Sequence, residues 1–276
     1  RCDLARANVS AVELGGARFA GARFDGVVLT SALIEDAVLS GAGFRGSDLR
    51  GCRFVGVDFT GADFTKTLLD GARLYECVLE EARFIGTSLR GAELEGCPTP
   101  GARFEGVDLT EARLTQMDLA GAKIAANTCA RTAFHLCNLT GADFTGAVLP
   151  QCSFRDCNLN GVLAERVDFA GLDLAGTSWK QARAAGARFD GASLTAADFS
   201  EAQLSWASFV AADLRLARLD RANLALTRLS RAVLDRAELV GADLTSSQLD
   251  GAGLRYAVLA HAKLVATNLE GAALRG

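Results

Sequence analysis

One period runs through the whole chain and decides what it can fold into. Residues were numbered by their remainder on division by five. Between Leu4 and Leu274 there are 55 positions of remainder four, and Leu or Phe fills 47 of them. All 15 Phe sit there, from Phe19 to Phe209. Positions of remainder two are small: 31 are Ala, and Val, Thr, Ser or Cys fill the rest except Met117, Asn127 and Leu172. Of the 29 Gly, 26 have remainder one. No insertion shifts the phase, and no helix has a five-residue apolar period.

The spacing dictates a geometry. Apolar residues come at gaps of two and then three, as in Ala17, Phe19, Ala22 and Phe24. A gap of two is the strand period, so the small residue and the Leu or Phe share one side of an extended segment. The gap of three needs a corner that turns the next pair inward, and Gly suits a corner because it accepts positive φ. Each pentad is one side plus one corner, and the chain coils into a solenoid of parallel strands. Four sides per turn place residues 20 apart in columns. Phe24, Phe44, Phe64, Phe84, Phe104, Ile124 and Phe144 then form one column, and Phe169, Phe189 and Phe209 another. Cys77, Cys97, Met117, Cys137 and Cys157 form a sulfur column. Fifteen-residue turns scatter all three. The expectation is an all-β quadrilateral helix of about 14 coils, ~65 Å long at a strand spacing of ~4.8 Å.

Runs such as Ala62-Asp63-Phe64, Ala142-Asp143-Phe144, Ala212-Asp213-Leu214 and Ala222-Asn223-Leu224 resemble the pentapeptide-repeat family, whose unit is A(D/N)LXX. The resemblance covers the chain and implies a right-handed quadrilateral β-helix. It says little about function, because the unit encodes structure. The chain departs from the family pattern where Arg replaces Asp or Asn before the central residue, as at Arg18, Arg23, Arg53, Arg73, Arg83 and Arg103.

The uninterrupted phase predicts a single domain over residues 1–276. Arg1 opens directly into the pattern without a signal peptide or initiator Met, so the array is read as a segment of a longer protein, with flanking domains preferred over pairing of its ends with another copy. Three places bend the rule in phase. Cys97-Pro98-Thr99-Pro100 weakens the ladder by removing donors. Asn127 and Cys129 replace the usual inward pair, and Ala164 and Ala184 leave successive gaps that Trp179, Leu172 and the Phe169 column fill. All three read as packing adjustments.

Composition excludes other classes. With 50% hydrophobic residues the chain is too apolar for a disordered tail, and no uncharged stretch reaches the ~20 residues of a spanning helix. Seven of the eight Cys (Cys2, Cys52, Cys77, Cys97, Cys137, Cys152 and Cys157) take the small inward position and Cys129 a central one. All eight are expected buried and reduced, packing as small apolar residues and binding no metal. Such thiols fit a bacterial cytoplasm. His135 and His261 fall more than six coils apart, and no nucleophile, cofactor loop or carboxylate cleft joins either, so no enzyme is expected.

Charge bears on partners. Some family members resemble duplex DNA in shape and protect type II topoisomerases (gyrase among them) with strongly acidic faces. A duplex of this length carries about 38 negative charges. Here 29 Lys and Arg offset 33 Asp and Glu, and the four sides sum to +3, -2, -2 and -4. Arg83, Arg103 and Lys123 stack on one side between Asp63 and Asp143, which reads as ordinary surface charge and not as a nucleic-acid site. Outward apolar residues mark a protein partner better. Trp206 and Leu226 lie at corners one coil apart; Leu216 and Tyr256 lie on the opposite edge, with Arg236 between them. These four are the candidate contacts of a non-enzymatic interaction scaffold with no small-molecule substrate and no membrane insertion. The Ala- and Arg-rich style resembles arrays attached to bacterial secretion-associated proteins, including type VI accessory proteins. The alternative is a DNA-mimicking topoisomerase protector.

Overall fold

The computed structural model describes residues 2–124 and 128–275. Arg1 and Asn127 lie outside them. The chain divides into two compact units, Arg1–Asn138 and Leu139–Gly276. At 20 residues per turn each holds about seven coils.

In the first unit the side chains alternate as the period requires. Ala22, Phe24, Val27, Leu29, Ala32, Ile34, Ala37 and Leu39 are all buried, and the residues between them are not. Four sides follow from pairing. Arg23, Val28, Leu33 and Val38 each pair in parallel with the residue 20 further on: Gly43, Asp48, Arg53 and Asp58. Short strands form where hydrogen bonding extends through the next residue: β1 Glu13–Gly15, β2 Leu33–Glu35, β3 Arg53–Val55, β4 Arg73–Tyr75, β5 Arg83–Ile85, β6 Glu93–Glu95, β7 Arg103–Glu105, β8 Arg113–Thr115 and β9 Ala133–His135. One side runs β1-β2-β3-β4-β6-β8-β9, all parallel, and β5 pairs β7 on another. The expected Phe column stacks face to face from Phe24 to Phe104, with centroids 4.9–5.2 Å apart and planes within 11°. The ring spacing follows the strand spacing.

The second unit contains β10 Ser153–Arg155 and is otherwise built from single bridges, such as Asp168–Arg188–Ser208–Arg228–Gln248–Asn268, again at steps of 20. Its own column stacks Phe169, Phe189 and Phe209 at 5.1 and 4.8 Å. Trp179 is fully buried, edge-on to Phe169 and Phe189 and stacked on Phe199, and Ala164 and Ala184 are fully buried too. Each unit is a quadrilateral β-helix, as the period predicts.

The corners have one conformation. Every described residue of remainder one from Arg6 to Gly271 has φ between 50° and 74°, and 28 of these 53 residues are not glycine. At corners such as Phe19–Ala22 the amide of the small residue donates to the carbonyl of the central residue three before it, at 2.9 Å. That bond, with positive φ only at the third residue, is the type II turn signature. None of the 28 is β-branched, as expected where a branched Cβ crowds the backbone.

Polar side chains at the small inward position are satisfied by backbone. Ser47, Thr67 and Thr87 donate to the carbonyls of Phe24, Phe44 and Phe64 at 2.5–2.6 Å. The thiol of Cys52 donates likewise to Leu29, at 2.8 Å. This explains why Ser, Thr and Cys share the position with Ala. Seven cysteines are buried and unbridged, but Cys2 is exposed. It sits in the first described coil, and its exposure corrects the expectation of eight buried thiols. Burial pushes the Cys52 thiol up to about 11, and the hydrogen bond with Cys97, with burial added, raises Cys77 further. At the Pro98–Pro100 departure the carbonyls of both prolines still accept from Leu79 and Glu81, and the Thr99 hydroxyl donates to the Asp118 carbonyl. The two prolines supply no donor to the ladder.

Candidate protein-contact edges

The outward surface is laced by ion pairs between neighbouring coils. Glu93 is flanked by Arg73 and Arg113 at 3.2 and 3.4 Å, Asp198 is held by Lys180 at 3.3 Å, and Asp243 by Lys263 at 3.2 Å. Arg50 grips Asp48, and Arg215 grips Asp213, and each hydrogen-bonded guanidinium holds its carboxyl below the usual carboxylate range. Arg83 and Arg103 are adjacent through β5 and β7, and Arg103 pairs with Glu105 at 2.8 Å, so this basic column is partly neutralised.

Against this polar background the four candidate residues project from corners of the second unit. Trp206 is 66% exposed and Tyr256 62%, with Leu216 at 52% and Leu226 at 38%. Their φ values, 65°, 59°, 59° and 62°, are those of every other corner. The left-handed conformation costs an L-residue about 1–2 kcal/mol.

The register brings Trp206 and Leu226 together on adjacent coils: the Trp206 amide donates to the Ala225 carbonyl at 3.1 Å. Leu216 and Tyr256 share a different edge, separated by the coil of Arg236, whose amide donates to Arg255 at 2.8 Å. The four therefore form two sites.

Two features of the Trp206 edge escaped the sequence reading. Val265, 68% exposed, lies on the same edge two coils beyond Leu226, past Thr245 and Ser246. On the other side of Trp206 a groove of about 470 Å³ is lined by Thr145, Glu165, Arg166, Ala185, Gly186 and Trp206. It exists because Ala185 and Gly186 leave the corner before Trp206 almost bare. The Arg166 stem lies against it, Cγ 3.3 Å from where a Gly186 Cβ would stand, and Glu165 is held by Arg183 at 3.0 Å. A glycine corner next to a large aromatic corner is the signal that finds it.

Among the described residues no group of three or more His, Cys, Asp or Glu could hold a metal ion, and no helix is long and apolar enough to cross a membrane. His135 lies in the first unit and His261 in the second.

A coil of pentads with parallel pairing at every twentieth residue defines a β-solenoid repeat protein. More narrowly, the chain belongs to the pentapeptide-repeat family: the model for pentapeptide repeats matches residues 2–97 in overlapping segments, then 100–125, 137–162 and 165–276. Three of the departures read from the sequence fall at the breaks, at Pro98-Thr99, at Asn127 and Cys129, and at Ala164. Similar solved structures include HetL from the cyanobacterium Nostoc sp. strain PCC 7120, described as involved in heterocyst differentiation regulation, at 26% identity over 91% of this chain and 88% of HetL, with a TM-score of 0.31. Full-length QnrB1, described as a plasmid-mediated fluoroquinolone resistance protein, is similar at 17% identity over 72% of this chain and 92% of its own, with a TM-score of 0.29. No curated protein matches the chain.

Proposed function

We propose that the chain is a non-enzymatic scaffold that binds a protein partner through the Trp206 and Leu226 edge, as the repeat array of a larger bacterial protein. One observation carries the reading: large apolar side chains occupy strained, exposed corners where glycine would cost less. Trp and Tyr are frequent interface anchors, and the groove beside Trp206 offers room for a partner side chain. Backbone strain at non-glycine positions fits a functional role where the side chain stays exposed.

The rival is a mimic of duplex DNA that protects a type II topoisomerase. Such a mimic works through its summed field. In both units cations and carboxylates alternate, as in Arg73–Glu93–Arg113 and Asp198–Arg218–Glu238. This supports recognition by shape and apolar contact. The test is a gyrase supercoiling assay with and without a quinolone, together with partner capture by wild-type chain and Trp206→Ala. Capture lost on Trp206→Ala with an unchanged melting curve is expected. Inhibition or protection of gyrase at micromolar chain would overturn the proposal.

A further inference from the structure

The charge around the Trp206 edge runs against the sign of the chain. The whole sequence carries a net charge of -4. Along this edge and its two flanking faces, from the coil of Glu165 to that of Lys263, five cations face three carboxylates. Each carboxylate is taken by a neighbour: Glu165 by Arg183 at 3.0 Å, Asp168 by Arg188 at 3.0 Å and Asp243 by Lys263 at 3.2 Å. Arg188 also reaches Asp190 on the next corner, at 3.3 Å. Among the described residues Arg166 and Arg228 enter no ion pair, and they are the two charges left over.

These two arginines bracket the exposed indole. Arg166 lies two coils before Trp206 in the same corner column, and Arg228 follows Leu226, one coil after Trp206. Three coil spacings of ~4.8 Å put them roughly 14 Å apart along the edge. Between them Ala185 and Gly186 form the bare floor of the groove of about 470 Å³, with Trp206 as one wall. The Arg166 stem leans over Gly186, so its guanidinium belongs to the groove. Thr145 closes the far end, its amide donating to Asp143 at 2.9 Å. Asp143 lies beyond Arg166 as counted from Trp206. A side chain entering beside Trp206 thus meets an aromatic wall, bare backbone and an unneutralised cation, while the groove's one carboxylate, Glu165, is already paired.

We infer that this edge holds an extended acidic segment of a protein partner. An apolar side chain of the segment enters the groove beside Trp206, and carboxylates on either side of it meet Arg166 and Arg228. A strand advances ~3.3 Å per residue with alternate residues on one face, so residues i and i+4 stand ~13 Å apart with i+2 between them. The matching pattern is Glu-x-Phe-x-Glu. Two guanidiniums separated by Trp206 and Leu226 suit such a segment better than a nucleic acid, whose evenly spaced phosphates call for a continuous row of cations. This rests on the reading of the Trp206 edge as a protein contact and names the chemistry of what it holds. Charge of this kind selects the partner more than it tightens the grip.

Anisotropy of a labelled peptide, Gly-Glu-Ser-Phe-Ser-Glu-Gly, tests it beside a counterpart with Lys for both Glu and beside a labelled oligothymidylate. The Glu peptide should bind at least tenfold more tightly than the Lys peptide at about 0.05 M salt, and added salt should narrow the difference. Arg166→Ala and Arg228→Ala should each weaken the Glu peptide several-fold, and Arg166→Glu combined with Arg228→Glu should reverse the preference. Arg221→Ala, which removes a cation from a different corner column, should change nothing. All these side chains are exposed, and an unchanged melting curve verifies each fold. Equal binding of the two peptides, binding of neither, or indifference to Arg166→Ala and Arg228→Ala would overturn the inference. So would an oligothymidylate held more tightly than the Glu peptide and released by Trp206→Ala. Partner capture that is lost on Trp206→Ala but unmoved by the double reversal would sink this inference and leave the scaffold reading standing, so the two fail separately.

Discussion

The indole nitrogen of Trp179 donates to Thr177 Oγ1 at 2.8 Å, and that hydroxyl donates in turn to the Leu174 carbonyl at 2.5 Å. Both side chains are buried, so Thr177 satisfies the one polar atom that a Trp brings into a column of Leu and Phe. Thr177→Val leaves the indole N–H unpaired and should lower unfolding free energy by about 1–3 kcal/mol, while Thr177→Ser should stay near wild type. Denaturant unfolding measures both. Coincident midpoints for the Val and Ser variants would contradict the bond.

Thiol accessibility follows from the small inward position. In the native state Cys2 should react quickly with a thiol reagent and the seven buried cysteines slowly; denatured chain should titrate all eight. Mass spectrometry after a short labelling pulse identifies the modified residue. Rapid labelling of Cys52 would contradict its burial.

Stability should depend on pH at both extremes. For Cys52 and Cys77 the folded values lie above the unfolded value of about 8.5, so the folded state holds protons that the unfolded state releases. Their contribution is full below about pH 8.5 and is lost as pH rises toward the folded values, about 11 for Cys52. Asp48 and Asp213 have folded values below the unfolded value of about 3.9. Their contribution is present above that pH and is lost as pH falls through the folded values. Chemical unfolding midpoints should be level between about pH 5 and 8 and fall outside that window. A maximum above pH 9 would contradict the thiol assignment.

Corner conformation gives a further outcome. A Cβ at Gly41 would meet nothing within 4 Å, so substitution there tests backbone strain alone. At φ 65° Gly41→Ala should cost about 1 kcal/mol and Gly41→Val clearly more, because a branched Cβ crowds the neighbouring peptide groups. Equal thermal midpoints for the two variants would contradict this account of why branched residues are missing from the described corners.

Much of this architecture is legible because one five-residue code sets both faces and corner. The Phe24 to Phe104 stack and the burial of Trp179 beside Ala164 and Ala184 follow from counting alone. Other features depend on position along the stack. Cys2 obeys the code but is exposed in the first described coil, and the groove beside Trp206 arises from a bare corner on a different coil. Ion pairing is likewise set by rotamers: Asp235 turns to a backbone amide while Asp213 takes an arginine, although both are Asp in the same pentad pattern. Partner identity is not written in a code whose apolar positions all serve the fold.

The central claim is that a residue's place in its pentad decides whether it builds the core or meets a partner. Placing one lysine in each of two aromatic positions tests it most directly. Phe84 is fully buried within its stack, and Trp206 stands at an exposed corner. Circular dichroism melts of Phe84→Lys and Trp206→Lys should separate widely. Phe84→Lys buries an unpaired charge and should lose the cooperative transition or shift it far down. Trp206→Lys should melt with the wild type and lose only partner capture. Indistinguishable melting curves for the two variants would contradict the account.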